Sequence, residues 1–330
     1  MYTFIIRESG LLINTGKKIV RTPCSIQTKN KDFIELQLKY NSITNYKVIN
    51  LIEVIKMKSL KKFKSPPFSL GYIEDEPDER DYQVNNILHT PKLSTSYVNY
   101  TDEMSPVKNQ GSLGSCVGFA MAAMKEWQEQ KEYLNEVKKG SKYRRKKDHY
   151  NLSEMWIYYK SKEIDPWPNQ EGTSIRCAMK QMCKLGAPPE KAWKYNDRVK
   201  GKPEPWSHLV SKWRSSQSYF RVNNLNELLQ ALDNYGPVVI GVYCFKEIFS
   251  PSKKGIVKDP ANPDMCYGGH AICAVHYNPE KQLVKFKNSW GSNWGNKGYG
   301  CFSYDYINRY MMDAWVLIDK NVSIDEVKGK

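Results

Sequence analysis

The sequence predicts an α+β protein, with helices gathered in the middle of the chain and strands in its second half. Three observations carry that. After Cys116, the large apolar residues of Phe119-Ala-Met-Ala-Ala-Met124-Lys-Glu-Trp127 recur near helical spacing with no breaker. From Gly236 onward β-prone runs take over: Gly236-Pro-Val-Val-Ile-Gly-Val-Tyr243, Ala271–Tyr277, Leu283–Lys287 and Gly298–Tyr304. Finally, 330 residues with 40% apolar and 12% aromatic content suit one large domain plus an appendage, with a sizeable core.

Residues 1–60 read as a small β-rich accessory module, its strands at Tyr2–Ile6, Lys18–Val20 and the alternating run Phe33–Tyr40. Residues 61–80 read as a linker that turns from basic to Pro-bearing (Ser65-Pro-Pro-Phe68) to acidic (Glu74–Glu79). The main domain spans 81–320, and 321–330 form a tail. Ser115 is a good N-cap for the helix that begins at Cys116 and ends within Lys131–Lys139. The cationic run Lys138–Lys147 follows. It reads as a solvated loop, with contact to nucleic acid or an acidic surface as the secondary reading, because only Tyr143 is available for base stacking. Further helices are expected at Leu152–Tyr159 and at Ile175–Leu185, the latter stopped by Gly186-Ala-Pro-Pro189. Leu225–Asn234 reads as a helix too; residues 200–220, rich in Pro and Trp, suggest nothing specific.

Charge and cysteine content narrow the function classes. Lys and Arg number 50 against 35 acidic residues, a balance of +15 that can mark an anionic partner or only a compositional bias. Eight dispersed cysteines include no C-x-x-C pair, which argues against a zinc or redox motif and for free thiols in a reducing compartment. No metal and no cofactor are expected. Arg7, Glu8 and Gly10 interrupt the start of the chain, so it does not read as a signal peptide. No run approaches 18 apolar residues, and the expectation is an intracellular protein with no membrane partner.

Chemistry concentrates in three blocks: Gln110-Gly-Ser-Leu-Gly-Ser-Cys116-Val-Gly-Phe-Ala120, then Gly268-Gly-His270, then Asn288-Ser-Trp-Gly291. A thiol at a helix N-terminus meets unpaired N–H groups and the positive end of the dipole, which favours thiolate. In this order and spacing the blocks resemble the papain-like cysteine peptidases, most of all the disulfide-free bacterial and viral type. The resemblance runs from about Asp81 to Asp319. The chain departs from the family at Leu113-Gly-Ser-Cys-Val117, which lacks the flanking cysteine and aromatic residue.

The resemblance implies a helical lobe and a β-barrel lobe with the cleft between them, and a protein or peptide substrate. It implies Cys116 as nucleophile, His270 as base and then acid, and Asn288 as the group that orients the imidazole. The Gln110 amide and the Cys116 N–H would form the oxyanion hole, and Trp290 would shield the Asn–His bond. Gly172, Thr173, Gly269 and Trp290 are the expected substrate-binding positions. His276 is a rival histidine that lacks the preceding glycines. Two other functions are weighed: an isopeptide or amide hydrolase or transferase on the same scaffold, and a catalytically silent binder using its basic surface. A binder has no need of all four polar residues. Residues 1–60 do not resemble the helical inhibitory propeptide of relatives and are expected to be an accessory or targeting module. The linker Ser65–Glu79 is left free to lie across part of the main domain.

Overall fold

The computed structural model describes residues 3–7, 10–14, 19–22, 66–86, 97–138 and 151–319. The expected strand Phe33–Tyr40, the cationic run beyond Lys138 and the tail lie outside them. The chain divides into two compact units: Met1–Pro67 with Ala261–Tyr267, and Phe68–Pro260 with Gly268–Lys330. In the first, β1 (Thr3–Arg7), β2 (Gly10–Asn14) and β3 (Ile19–Thr22) form an antiparallel meander, with Thr3 opposite Asn14 and Leu11 opposite Thr22.

The second unit holds the helices α1 (Cys116–Lys138), α2 (Glu154–Lys162), α3 (Ile175–Lys184), α4 (Ser207–Ser211) and α5 (Leu225–Tyr235). Strands β4 (Ser216–Val222), β5 (Val238–Cys244), β6 (Gly268–Asn278), β7 (Leu283–Lys287), β8 (Tyr299–Ser303) and β9 (Met311–Asp319) follow, with α6 (Tyr304–Tyr310) between the last two. They form one antiparallel sheet in the order β4-β9-β5-β6-β7-β8. The α+β class is thus the one the sequence predicts.

Local chemistry fixes the helix ends. Ser153, Ser174 and Asn224 accept from the N–H three residues on and cap α2, α3 and α5. Gly186 takes φ +68 after α3, where its N–H bonds the Gln181 and Met182 carbonyls. Ser115 does not cap α1 as its sequence position suggests. Its hydroxyl lies 2.7 Å from the Tyr195 hydroxyl, and the first N–H groups of α1 stay available to the neighbouring thiol.

The core lies between α1–α3 and the sheet: Met121, Met124, Trp156 and Met179 on one side, Val239, Cys273, Val275 and Trp315 on the other, all essentially inaccessible. Charges buried there are paired, as their desolvation requires. Lys125 meets Glu129 and Asp319, and Lys108 bridges Glu126 and Glu154. Among the described residues, no helix is long and apolar enough to cross a membrane.

Candidate active site

Helix α1 packs on β6, and its first residue meets the beginning of that strand. The Ala271 N–H points at the Cys116 sulfur, 3.4 Å away. One residue earlier, His270 Nε2 lies 2.8 Å from Asn288 Oδ1, just beyond the end of β7, and the Ser289 N–H donates to the same oxygen. Trp290 stacks on the imidazole, centroid to centroid 4.4 Å at 23°. The Gln110 side chain is tied at both ends: its Oε1 accepts from Ser289 Oγ at 2.6 Å, and its Nε2 donates to the Leu113 carbonyl at 3.0 Å. Gln110, Cys116, His270 and Asn288, spread over 179 residues of chain, therefore meet at one seam between α1 and the sheet. His276 sits six residues further along β6, edge-on to Tyr97, and takes no part.

The chain itself fills the cleft. Residues 68–75, read from sequence as linker, run across the seam as a strap. The Ser69 carbonyl accepts from Gln110 Nε2 and from Trp290 Nε1, each at 3.2 Å. Phe68 stacks face to face on Trp290 at 4.7 Å. The Gly71 N–H faces the Cys116 sulfur. Tyr72 N donates to the Gly269 carbonyl at 3.1 Å, Ile73 N to the Thr173 carbonyl at 3.1 Å, and Thr173 N to the Gly71 carbonyl at 3.0 Å. Each of the four expected substrate-binding positions touches this strap. Gly172, at φ +92, lies where an added Cβ would overlap the Gly71 carbonyl, so the close approach requires glycine. Arg176 anchors the strap's acidic end through the Asp81 carboxylate and Asp75.

Burial beneath the strap changes the electrostatics that sequence alone suggests. The helix N-terminus predicts an acidic thiol. Instead, loss of solvent pushes the Cys116 thiol up to about 12, although N–H groups of Ala271, Gly71, Val117 and Cys116 pull the other way. The same burial lowers His270 to about 4, against the opposing bond to Asn288. Both shifts run against the charged forms, thiolate and imidazolium, in the closed site. Asp75 rises to about 6, chiefly by burial.

Two further groups escaped the sequence reading. Ser289, which fixes Gln110, looks like filler inside Asn288-Ser-Trp-Gly. Asp313 is an acidic residue opening an apolar strand, Asp313-Ala-Trp-Val-Leu-Ile318, and that mismatch was the available signal. It is buried, stands opposite Gly241 in the β9–β5 pairing, and faces the Tyr72 hydroxyl and the Trp315 indole N–H. Asn288 and Ser289 also line a small cavity of mixed character, with Lys108, Glu126, Glu154 and Lys287 beside Phe119 and Ala123.

Residues 94–318 match the model of the papain family of cysteine proteases. An uncharacterised peptidase C1-like protein of Acanthamoeba polyphaga mimivirus is 27% identical over 281 residues, covering 76% of this chain and 86% of that protein. Mexicain of Jacaratia mexicana is 28% identical over 204 residues, covering 59% of this chain and 81% of its own. Among solved structures, xylellain, a cysteine protease from Xylella fastidiosa, superposes with a TM-score of 0.63 at 26% identity, covering 78% of this chain and 98% of that one.

Proposed function

Since the chain belongs to the papain family of cysteine proteases, we propose that it cleaves peptide bonds by thiol attack from Cys116, with His270, Asn288 and Gln110 in support. Cys116 passes its proton to His270 as the sulfur bonds to the substrate carbonyl carbon. The carbonyl oxygen gains the negative charge and is held by Gln110 Nε2 and the Cys116 N–H. The C–N bond then breaks, His270 returns the proton to the departing amine, and water hydrolyses the thioester. Asn288 holds the imidazole through Nε2 and leaves Nδ1 for the proton.

One observation carries this reading: a peptide carbonyl of the chain itself, that of Ser69, rests against the Gln110 amide where an oxyanion would develop. The strap also gives the cleft a polarity. The leaving amine must face His270, and Trp290 stacks on that ring, so Phe68 and Ser69 occupy the leaving side and Tyr72 the acyl side. A substrate's N-terminal part lies on the acyl side. The strap therefore runs backwards through the cleft, and its bonds are presented in the wrong direction for cleavage. The test is hydrolysis of a peptide library by the full chain carrying Tyr72→Ala, which loosens the strap. Turnover that disappears on adding Cys116→Ala supports the reading; turnover that survives it removes the nucleophile.

A further inference from the structure

Resting on the peptidase reading of the same cleft, we propose that the pocket around Tyr72 selects a tyrosine side chain on the acyl side of the cleaved bond. Asp313 is its specificity-determining residue. The pocket is built on neighbouring strand positions. Gly241 of β5 pairs with Ala271 of β6 on one side and with Asp313 of β9 on the other. A Cβ on Gly241 would overlap the Tyr72 ring, so the absent side chain leaves a slot one aromatic ring deep. Gly269 shapes the second wall, where a Cβ would meet the Tyr72 carbonyl and ring.

At the inner end, the Asp313 carboxylate, the Tyr72 hydroxyl and the Trp315 indole N–H face one another without closing to strict hydrogen-bond geometry. All three are buried, and none finds a hydrogen-bonding partner elsewhere. A phenylalanine in the slot would leave the carboxylate with the indole N–H alone, and an aliphatic side chain would leave the slot unfilled as well. A cationic side chain suits the end less well. Arg221 and Arg176 already act on Asp313, and burial raises its carboxyl toward the uncharged form. The strap's own tyrosine is thus a template of the side chain the pocket accepts.

Two measurements on the full chain test this. The first does not depend on activity: the rate at which iodoacetamide modifies Cys116, resolved from the other thiols by peptide mass mapping. Tyr72→Phe should speed it at least roughly tenfold, and Tyr72→Phe should add nothing in an Asp313→Leu background. The second uses the Tyr72→Ala chain and peptide pairs that differ only as Tyr or Phe at each of the residues preceding the cleaved bond. At one position Tyr should be favoured by about ten- to hundredfold in kcat/KM. Asp313→Leu should abolish that preference, and Asp313→Asn, which keeps an acceptor oxygen and the shape of the side chain, should retain part of it. Equal use of Tyr and Phe with hydrolysis intact overturns the proposal and leaves the peptidase reading standing. So does a preference for Lys or Arg, or labelling indifferent to Tyr72→Phe. If Tyr72→Ala exposes Cys116 to iodoacetamide yet no peptide is cut, the peptidase reading falls and the specificity falls with it.

Discussion

Gln110 makes three hydrogen bonds through its side chain, and only the one to Ser69 is with the strap. The other two hold the amide in place whatever occupies the cleft, as a preorganised donor requires. Gln110→Ala in the Tyr72→Ala chain should therefore lower kcat by about 10²–10³. Asn288→Ala should cost less, because the imidazole keeps its chemistry and its stacking on Trp290. Steady-state kinetics decide the ranking, and a larger loss at Asn288 would unseat Gln110 from the oxyanion hole. Residues of this kind are legible in sequence because each sits in a short motif of glycines and small residues. Asp313 and Tyr72 have no such surroundings. They become neighbours only when β9 lies beside β5 and a segment some two hundred residues upstream folds back over both.

Helices α1, α2, α3 and α5 and strands β5 to β8 follow from local signals, periodicity, caps and breakers, which is enough for the α+β class; β4, β9, α4 and α6 lie in stretches where the sequence reading placed no element. The strap was not legible either. It has no regular secondary structure of its own, and its order comes from backbone bonds to Thr173 and Gly269, which no local pattern encodes. The one trace is Leu70-Gly-Tyr72-Ile, an apolar interruption inside a polar linker. Docking has a proton cost that can be read out at Asp75. Its carboxyl is raised from 3.8 to about 6 in the closed chain. Closing therefore takes up a proton, and this residue's contribution is full below about pH 4 and lost as pH rises through about 6. Asparagine mimics the protonated form. Asp75→Asn should thus slow iodoacetamide modification of Cys116 relative to the wild type at about pH 7.5, and leave it equal at about pH 4. Faster modification at the higher pH would mean that the ion pair with Arg176 outweighs the burial.

At the scale of the whole molecule, the strap opens the larger compact unit and lies across the cleft of that same unit. Its direction through the cleft has a kinetic consequence. A segment bound backwards cannot be cut by the site it covers, and a molecule that holds its own strap has no unimolecular route to losing it by cleavage. Removal has to come from a second molecule whose cleft is momentarily open, attacking the strap in the forward direction. Conversion of the full chain to a shortened form should then accelerate as product accumulates, with a lag that shortens as protein concentration rises. A trace of already cleaved protein should erase the lag, and Cys116→Ala molecules should be processed normally when seeded. Time courses by gel at several concentrations decide the matter: a first-order course with a half-time independent of concentration would mean that the strap turns round before it is cut.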